Sequence, residues 1–375
     1  MKNKKLTICF LGSASSIHTL RWIHFFAEEG HHVHLFSFDP LLSHYDLGNI
    51  IFHELKKIQL VDSWIVNLVL ASPLKRHLKK ILIEIKPDIV HAHYVTDYGS
   101  LGVLSDFHPF ILTAWGSDIL IAPKKFFLTE FSVRYYLQKA DLITCDAEHL
   151  KKEMEVFGAK ASKIKIINFG IDTEKFKPGL IDQELKKRLG ITNQKVVISL
   201  RSLYPVYDLK SFIKAAAIVI KEYPNVKFII IGDGPQEKEL KNLVENLGIS
   251  DAVIFTGFIN RKDIPFFLGM SDIYASISLS DAGIASSTAE AMACELPVVV
   301  TDVADNKEWI KDGENGFVIR PENPKELASK VIYLLRNKQV RKEFGSRSRK
   351  IIEDKNSYHN EMAKMEKFYY KFVDK

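Results

Sequence analysis

Short apolar runs rich in β-branched residues alternate with helix-length stretches from one end of this sequence to the other. That alternation is the pattern of parallel sheets covered by helices, and it restricts the fold more than any other feature. LTICFL (6–11) enters Gly12, a helix is expected from about Ser16 to Glu29, Gly30 closes it, and VHLFSF (33–38) is the next strand. Further strands are expected at 88–94, 110–115, 141–146 and 163–169. A second series reads as strands at 195–201, 226–232, 252–257, 272–278, 297–302 and 316–320. The polar segment 172–184, which carries Pro178-Gly179, separates the two series and is read as the linker. At 375 residues the chain exceeds what one hydrophobic core usually supports. Two Rossmann-like α/β domains are therefore expected, at 1–175 and 180–350. Residues 351–375 form a closing helical stretch expected to pack back on the first domain.

Charge narrows the function classes. The net charge is +6, but residues 1–180 hold 22 Lys and Arg against 19 Asp and Glu, so each half carries +3. So even a spread argues against a nucleic-acid face; it suits phosphate ligands or loose contact with an anionic membrane. Cys9, Cys145 and Cys294 are far apart and odd in number, which excludes a disulfide framework and a cysteine zinc site. The apolar run near the start is short and leads into a glycine turn, unlike a signal peptide. No segment reaches the roughly 20 apolar residues that span a bilayer. A cytoplasmic protein is expected.

In open parallel sheets ligands bind beyond the carboxyl ends of the strands. The richest such place is SDAGIASSTAEAMACELPVVV (280–300): a strand end, a loop with Gly283, then a helix whose first N–H groups suit a diphosphate. Glu290 has two readings, a ligand group or the capping-box partner of Ser287. Arg201 follows VVISL and is either a two-pronged phosphate ligand or a surface ion pair. Gly232-Asp233-Gly234 permits close backbone approach, as does any tight strand-to-helix turn. In the first half Gly12, Ser13 and neighbouring small residues precede a helix carrying His18, a candidate ligand or a solvated side chain. Trp115 is a core residue or a sugar platform, and Asp118 a site residue or a helix cap. His91-Ala92-His93 and the histidines at 31, 32 and 34 have no carboxylate or cysteine evidently recruited to them, and no Asp-x-Asp motif occurs. Structural roles, no metal and no cofactor are expected.

Taken together, SIHTLRWIHFFAEEGHHV, the HAHY strand, TAWGSDI, ADLITCDAEHLKKEM, NFGIDTEKFKP, IIGDGP, VIFTGF, KDGENGFVI and above all EAMAC-x-x-PVVVTD resemble glycosyltransferase family four. These are retaining enzymes with the GT-B fold, two Rossmann-like parallel-sheet domains facing across a cleft. The resemblance implies transfer of a sugar from a nucleotide-diphosphate sugar to a glycan, lipid-linked or small-molecule acceptor. It assigns Arg201 to the diphosphate and Glu290 to the ribose hydroxyls. The backbone of Gly283, Ile284, Ala285 and Ser286 would meet the phosphates and sugar, and Gly232, Phe258 and Ile259 would border the base. The acceptor would lie against the first domain near Gly12, Ser13, His18, Trp115 and Asp118. Three positions depart from the family pattern. Its first acid falls on Ala282, with Asp281 adjacent as a substitute; its phosphate lysine is Val206; its T-x-H-G histidine is Trp115.

Two other classes use the same architecture. A nucleotide-sugar epimerase or hydrolase needs a carboxylate pair that is not evident, and a catalytically silent nucleotide-sugar-binding subunit would fit the three departures. Finally, 75–86 and 124–139 combine basic with apolar and aromatic residues at near-helical spacing, the composition either of core helices with a lysine edge or of a surface resting on anionic lipid.

Overall fold

The computed structural model describes residues 4–41, 47–55, 72–125, 127–281 and 283–374. By contacts the chain divides into two units, Met1–Phe169 with His359–Lys375, and Gly170–Tyr358. The first holds a parallel sheet of seven strands: β1 (Thr7–Leu11), β2 (His32–Ser37), β3 (Ile51–Glu54), β4 (Ile89–His93), β5 (Phe110–Thr113), β6 (Leu142–Cys145) and β7 (Ile164–Ile166), in the order β3-β2-β1-β4-β5-β6-β7. The second holds β8 (Lys195–Leu200), β9 (Val226–Ile231), β10 (Val253–Gly257), β11 (Ile273–Ser276), β12 (Val298–Thr301) and β13 (Gly316–Ile319), in the order β10-β9-β8-β11-β12-β13, again all parallel. These are two Rossmann-like α/β domains. In each, strand order reverses beside the first strand, between β1 and β4 and between β8 and β11, which opens a crevice at their carboxyl ends.

Central strands are buried on both faces, which is why they read as unbroken apolar runs. Strand β3 escaped the sequence reading. It has four residues, lies at the sheet edge and exposes Ile51, so no burial pattern marks it. The division between units falls at Phe169/Gly170, ahead of the polar segment read as linker. That segment belongs to the second unit, where Phe176 is buried and Arg349 donates to the carbonyls of Thr173 and Phe176.

The helix Tyr358–Val373 packs in the first unit. Tyr369 Oη lies 2.6 Å from His91 Nδ1, Glu366 pairs with His31 at 2.8 Å, and Glu361 accepts from the Asn168 amide at 2.9 Å. The helix Ser72–Ile85 buries Leu74, Leu78 and Leu82 in the core and turns its basic residues outward. The helix Phe127–Lys139 buries Val133, Tyr136 and Leu137 but leaves Phe127, Leu128 and Phe131 exposed, close to exposed Ile121. Among the described residues no helix is long and apolar enough to cross a membrane.

Candidate active site

In the second unit the chain leaves β8 at Arg201, beside the crevice where strand order reverses. Arg201 Nη2 donates to Asp281 Oδ1 at 2.5 Å, with side chains 9% and 15% exposed. The guanidinium carbon lies 4.1 Å from the centroid of Tyr207, a cation–π contact. Among the described residues no acceptor meets the buried Arg201 Nε. The backbone that places this side chain is pressed against the turn after β9. A Cβ on Gly232 would lie 2.4 Å from the Arg201 carbonyl oxygen, and one on Gly234 2.7 Å from that of Leu203. Both glycines have positive φ, +141° and +153°. Here Gly232 serves close passage of the Arg201 backbone, and the Leu203 amide donates to the Asp233 carbonyl at 2.7 Å. Val206 contributes its backbone: its carbonyl accepts from the Leu279 amide at 2.7 Å, tying the loop after β8 to the loop that carries Asp281.

Beyond β11 the chain passes Gly283 and Ile284, both buried, then half-buried Ala285 and Ser286, into the helix Ser286–Ala293. Ala282 lies outside the described residues. Ala285 is the N-cap, and it offers no side chain to cap this end. The capping box read from the sequence does not form. The helix begins one residue ahead of Ser287, whose hydroxyl accepts from Tyr274 Oη at 2.7 Å, and Glu290 instead accepts from Arg261. Tyr274, in β11, is held above the ordinary tyrosine range by burial, against the opposing charge of Arg201, and so stays a neutral donor. Arg201, Asp281, Tyr274 and Ser287 thus converge on the uncapped helix start. The loop after β10 adjoins through the Gly232 amide, which donates to the Gly257 carbonyl at 3.0 Å. It presents Phe258, 76% exposed, and half-buried Ile259.

Two of these residues gave no sequence signal. Tyr274 reads as core within DIYASIS, and Arg261 reads as one more solvated charge in the turn NRKD. Only the packing of β11 and of the turn after β10 shows what they touch.

In the first unit Gly12 follows β1, where a Cβ would lie 2.9 Å from Thr19 Cγ2. Ser13 donates to Asp39 at 2.6 Å. His18 stacks on Trp115, with ring centroids 4.7 Å apart at 26°, and both are half-buried. Beneath them His93 contacts Trp22 and Trp115 edge-on, and its Nδ1 meets Thr19 Oγ1 at 3.2 Å. Burial, reinforced by His18, pushes the His93 imidazole down to about 3. Asp118 is not a helix cap; Gly116 holds that position. The Asp118 carboxylate is fully buried and accepts from the amides of Val95 at 2.8 Å, Gly116 at 2.9 Å and Trp115 at 3.1 Å, clamping the loops after β4 and β5. Burial raises it to about 6, and those amides hold it lower than burial alone would. His91 is held by Tyr369 and by Thr113, 2.6 Å from each. Among the described residues no group of three or more His, Cys, Asp or Glu side chains is arranged to hold a metal ion.

Two Rossmann-like units, the second with a buried strand-end arginine at the crevice of its sheet, have the architecture of the GT-B glycosyltransferases. Residues 181–351 match the family Glycosyl transferases group 1, and residues 7–147 match Glycosyl transferase 4-like. N-acetyl-alpha-D-glucosaminyl L-malate synthase of Bacillus anthracis is 25% identical over 358 residues, 92% of this chain and 90% of that protein. Two solved structures share the architecture. A glycosyltransferase from Rickettsia africae ESF-5 matches with TM-score 0.82 and 17% identity, over 99% of both chains. Anabaena Alr3699/HepE in complex with UDP matches with TM-score 0.80 and 21% identity, over 97% of this chain and 99% of that one. The two family matches fall one in each unit, and the chain is a glycosyltransferase.

Proposed function

We propose that the second unit binds a UDP-linked sugar and that Arg201 and the start of the Ser286–Ala293 helix receive its diphosphate without a metal ion. The observations that carry this reading are the buried Arg201 Nε, which has no acceptor among the described residues, and a helix N-terminus whose N-cap, Ala285, offers no side-chain cap. A departing nucleoside diphosphate gathers negative charge. A fixed guanidinium and oriented backbone N–H groups stabilise that charge without reorganising. Asp281 is the counter-ion of Arg201 until phosphate oxygens replace or share it. Glu290 accepts from the ribose hydroxyls, Gly283, Ile284, Ala285 and Ser286 line the sugar and phosphates, and Phe258 with Ile259 covers the base. Similarity to a protein named for N-acetylglucosaminyl transfer and to one solved with UDP supports trying uridine donors first.

On the acceptor side, the stacked His18 and Trp115 offer a half-buried aromatic face to a glycan or lipid-linked acceptor, next to Gly12 and Ser13, while Asp118 shapes the loops that hold them. The test is a calorimetric screen over UDP-, GDP- and ADP-sugars, followed by transfer of a mass-tagged sugar to cell lipid and glycan extracts. Binding of no nucleotide sugar would overturn the reading. An altered free nucleotide sugar with no transfer would instead mark an epimerase or hydrolase.

A peripheral site on the inner face of an anionic membrane is favoured by one specific feature, the exposed Phe127, Leu128, Phe131 and Ile121 of the first unit. The basic edge of Ser72–Ile85 adds Lys75, Arg76, Lys79 and Lys80. Salt-sensitive binding to phosphatidylglycerol vesicles, lost in Phe127→Ser/Phe131→Ser and weakened by four Lys or Arg to Gln changes, is expected. Equal recovery with anionic and neutral vesicles at low salt would retire the idea.

A further inference from the structure

The turn after β10 carries a charged residue, Arg261, that pairs with Glu290 of the proposed donor site. Arg261 donates from Nη2 to Glu290 Oε1, with the Arg261 side chain 35% exposed and that of Glu290 only 5%. Its guanidinium carbon lies 5.8 Å from the ring of buried Phe176, which backs the side chain on one face. The Lys262 amide donates to Asn260 Oδ1 at 3.1 Å and the Asp263 amide to the Asn260 carbonyl at 2.9 Å, so the turn itself is fixed.

A carboxylate buried on a short helix is a poor stabilising device. Removing it from water costs several kcal/mol, and an apolar side chain of similar volume would fill the same space without that cost. An acid kept there together with its cation points to use of the acid. A vicinal diol donates two hydrogen bonds, and a carboxylate accepts both best when its plane is fixed. The contact with Arg261 fixes that plane in Glu290.

We infer that Arg261 is a positioning residue for ribose recognition: it holds the Glu290 carboxylate oriented toward the 2′- and 3′-hydroxyls of the nucleoside diphosphate. This rests on the reading of Glu290 as the ribose ligand. The turn that presents Phe258 to the base would then also set the discrimination of ribose from deoxyribose.

Calorimetry on the full chain, with UDP, GDP and ADP and their 2′-deoxy counterparts, tests it in the wild type, Arg261→Ala, Arg261→Lys and Glu290→Gln. For the ribonucleotide the wild type prefers, Arg261→Ala should lose about tenfold in affinity, and its 2′-deoxy analogue about twofold or less. Arg261→Lys should recover part of the loss, and adding Arg261→Ala to Glu290→Gln should cost nothing more. A loss shared equally by ribo- and deoxyribonucleotides, or no loss, while Glu290→Gln abolishes discrimination, overturns the role of Arg261 and leaves that of Glu290 standing. Undiminished discrimination in Glu290→Gln, or a wild type that binds none of the nucleotides, removes the reading on which it rests.

Discussion

Replacing Asp281 by Asn should strengthen donor binding, although Asp281 lies among the proposed donor groups. Its carboxylate stands 2.5 Å from Arg201 Nη2, and both side chains are largely buried. A hydrogen bond to a charged group contributes about 1.5–3 kcal/mol, and residual solvent access argues for the lower part of that range. If phosphate oxygens must displace or share this acceptor, UDP binding is reduced by that amount in the wild type. Asp281→Asn leaves a neutral acceptor that releases Arg201 readily, so UDP should bind about ten- to thirtyfold more tightly. Arg201→Ala acts with the opposite sign. It removes the guanidinium whose buried Nε has no acceptor among the described residues, and UDP affinity should fall about tenfold with the fold intact. In the double variant the gain from Asp281→Asn should vanish, because the two residues act through one contact. Isothermal titration of UDP into the four proteins, at low and physiological salt, measures all of this. Weaker UDP binding by Asp281→Asn, or a gain that persists without Arg201, would refute the argument. If Asp281 also touches the sugar, UDP-sugar affinity would rise less than that of UDP.

Stability of the first unit should depend on pH through three buried groups. His93 is pushed down to about 3 and His91 well below its ordinary value, both by burial, so below about 6.5 the unfolded chain binds protons that the native state does not. Each histidine then costs up to about 1.4 kcal/mol per pH unit as pH falls. Asp118, raised to about 6, works against this between about 6 and 4, where the native state takes up the proton first. The urea midpoint followed by tryptophan fluorescence should therefore fall steadily below pH 6.5, Asp118 offsetting about one of the two histidines between pH 6 and 4; a midpoint that rises from pH 6.5 to 4.5 would contradict it. Transfer should persist in excess EDTA, and complete loss restored by manganese or magnesium would contradict the metal-free site. Gly232→Ala should cost roughly 3 kcal/mol, combining backbone strain at positive φ with the clash on the Arg201 carbonyl, and should weaken UDP binding as well. Gly190→Ala, where φ is +66° with nothing within 4 Å, should cost only about 1–2 kcal/mol and spare binding.

The strands were legible because burial on both faces leaves unbroken apolar runs such as VVISL, FIII and VVV, and the glycines that end helices stand where a left-handed residue is required. The periodicity of a parallel α/β chain is a local record of burial, so it can be read without coordinates. Strand β3 left no such record because it lies at the edge. Arg201 was legible as a residue at a strand end, but its partner stands 80 positions later and meets it because β8 and β11 are neighbours in the sheet. Local spacing suggested that Glu290 caps its own helix. The fold starts that helix at Ser286 and turns the carboxylate to Arg261, from a turn 29 positions earlier. The amphipathic pattern of Tyr358–Val373 announced a helix, while the sheet it covers was decided by contacts such as Tyr369 on His91, 278 positions away. Which elements form depends on interactions within a few turns of chain, and these the sequence determined. Which charges pair depends on strand order and on backbones that pass in contact at Gly232 and Gly234, and only the tertiary structure decided that.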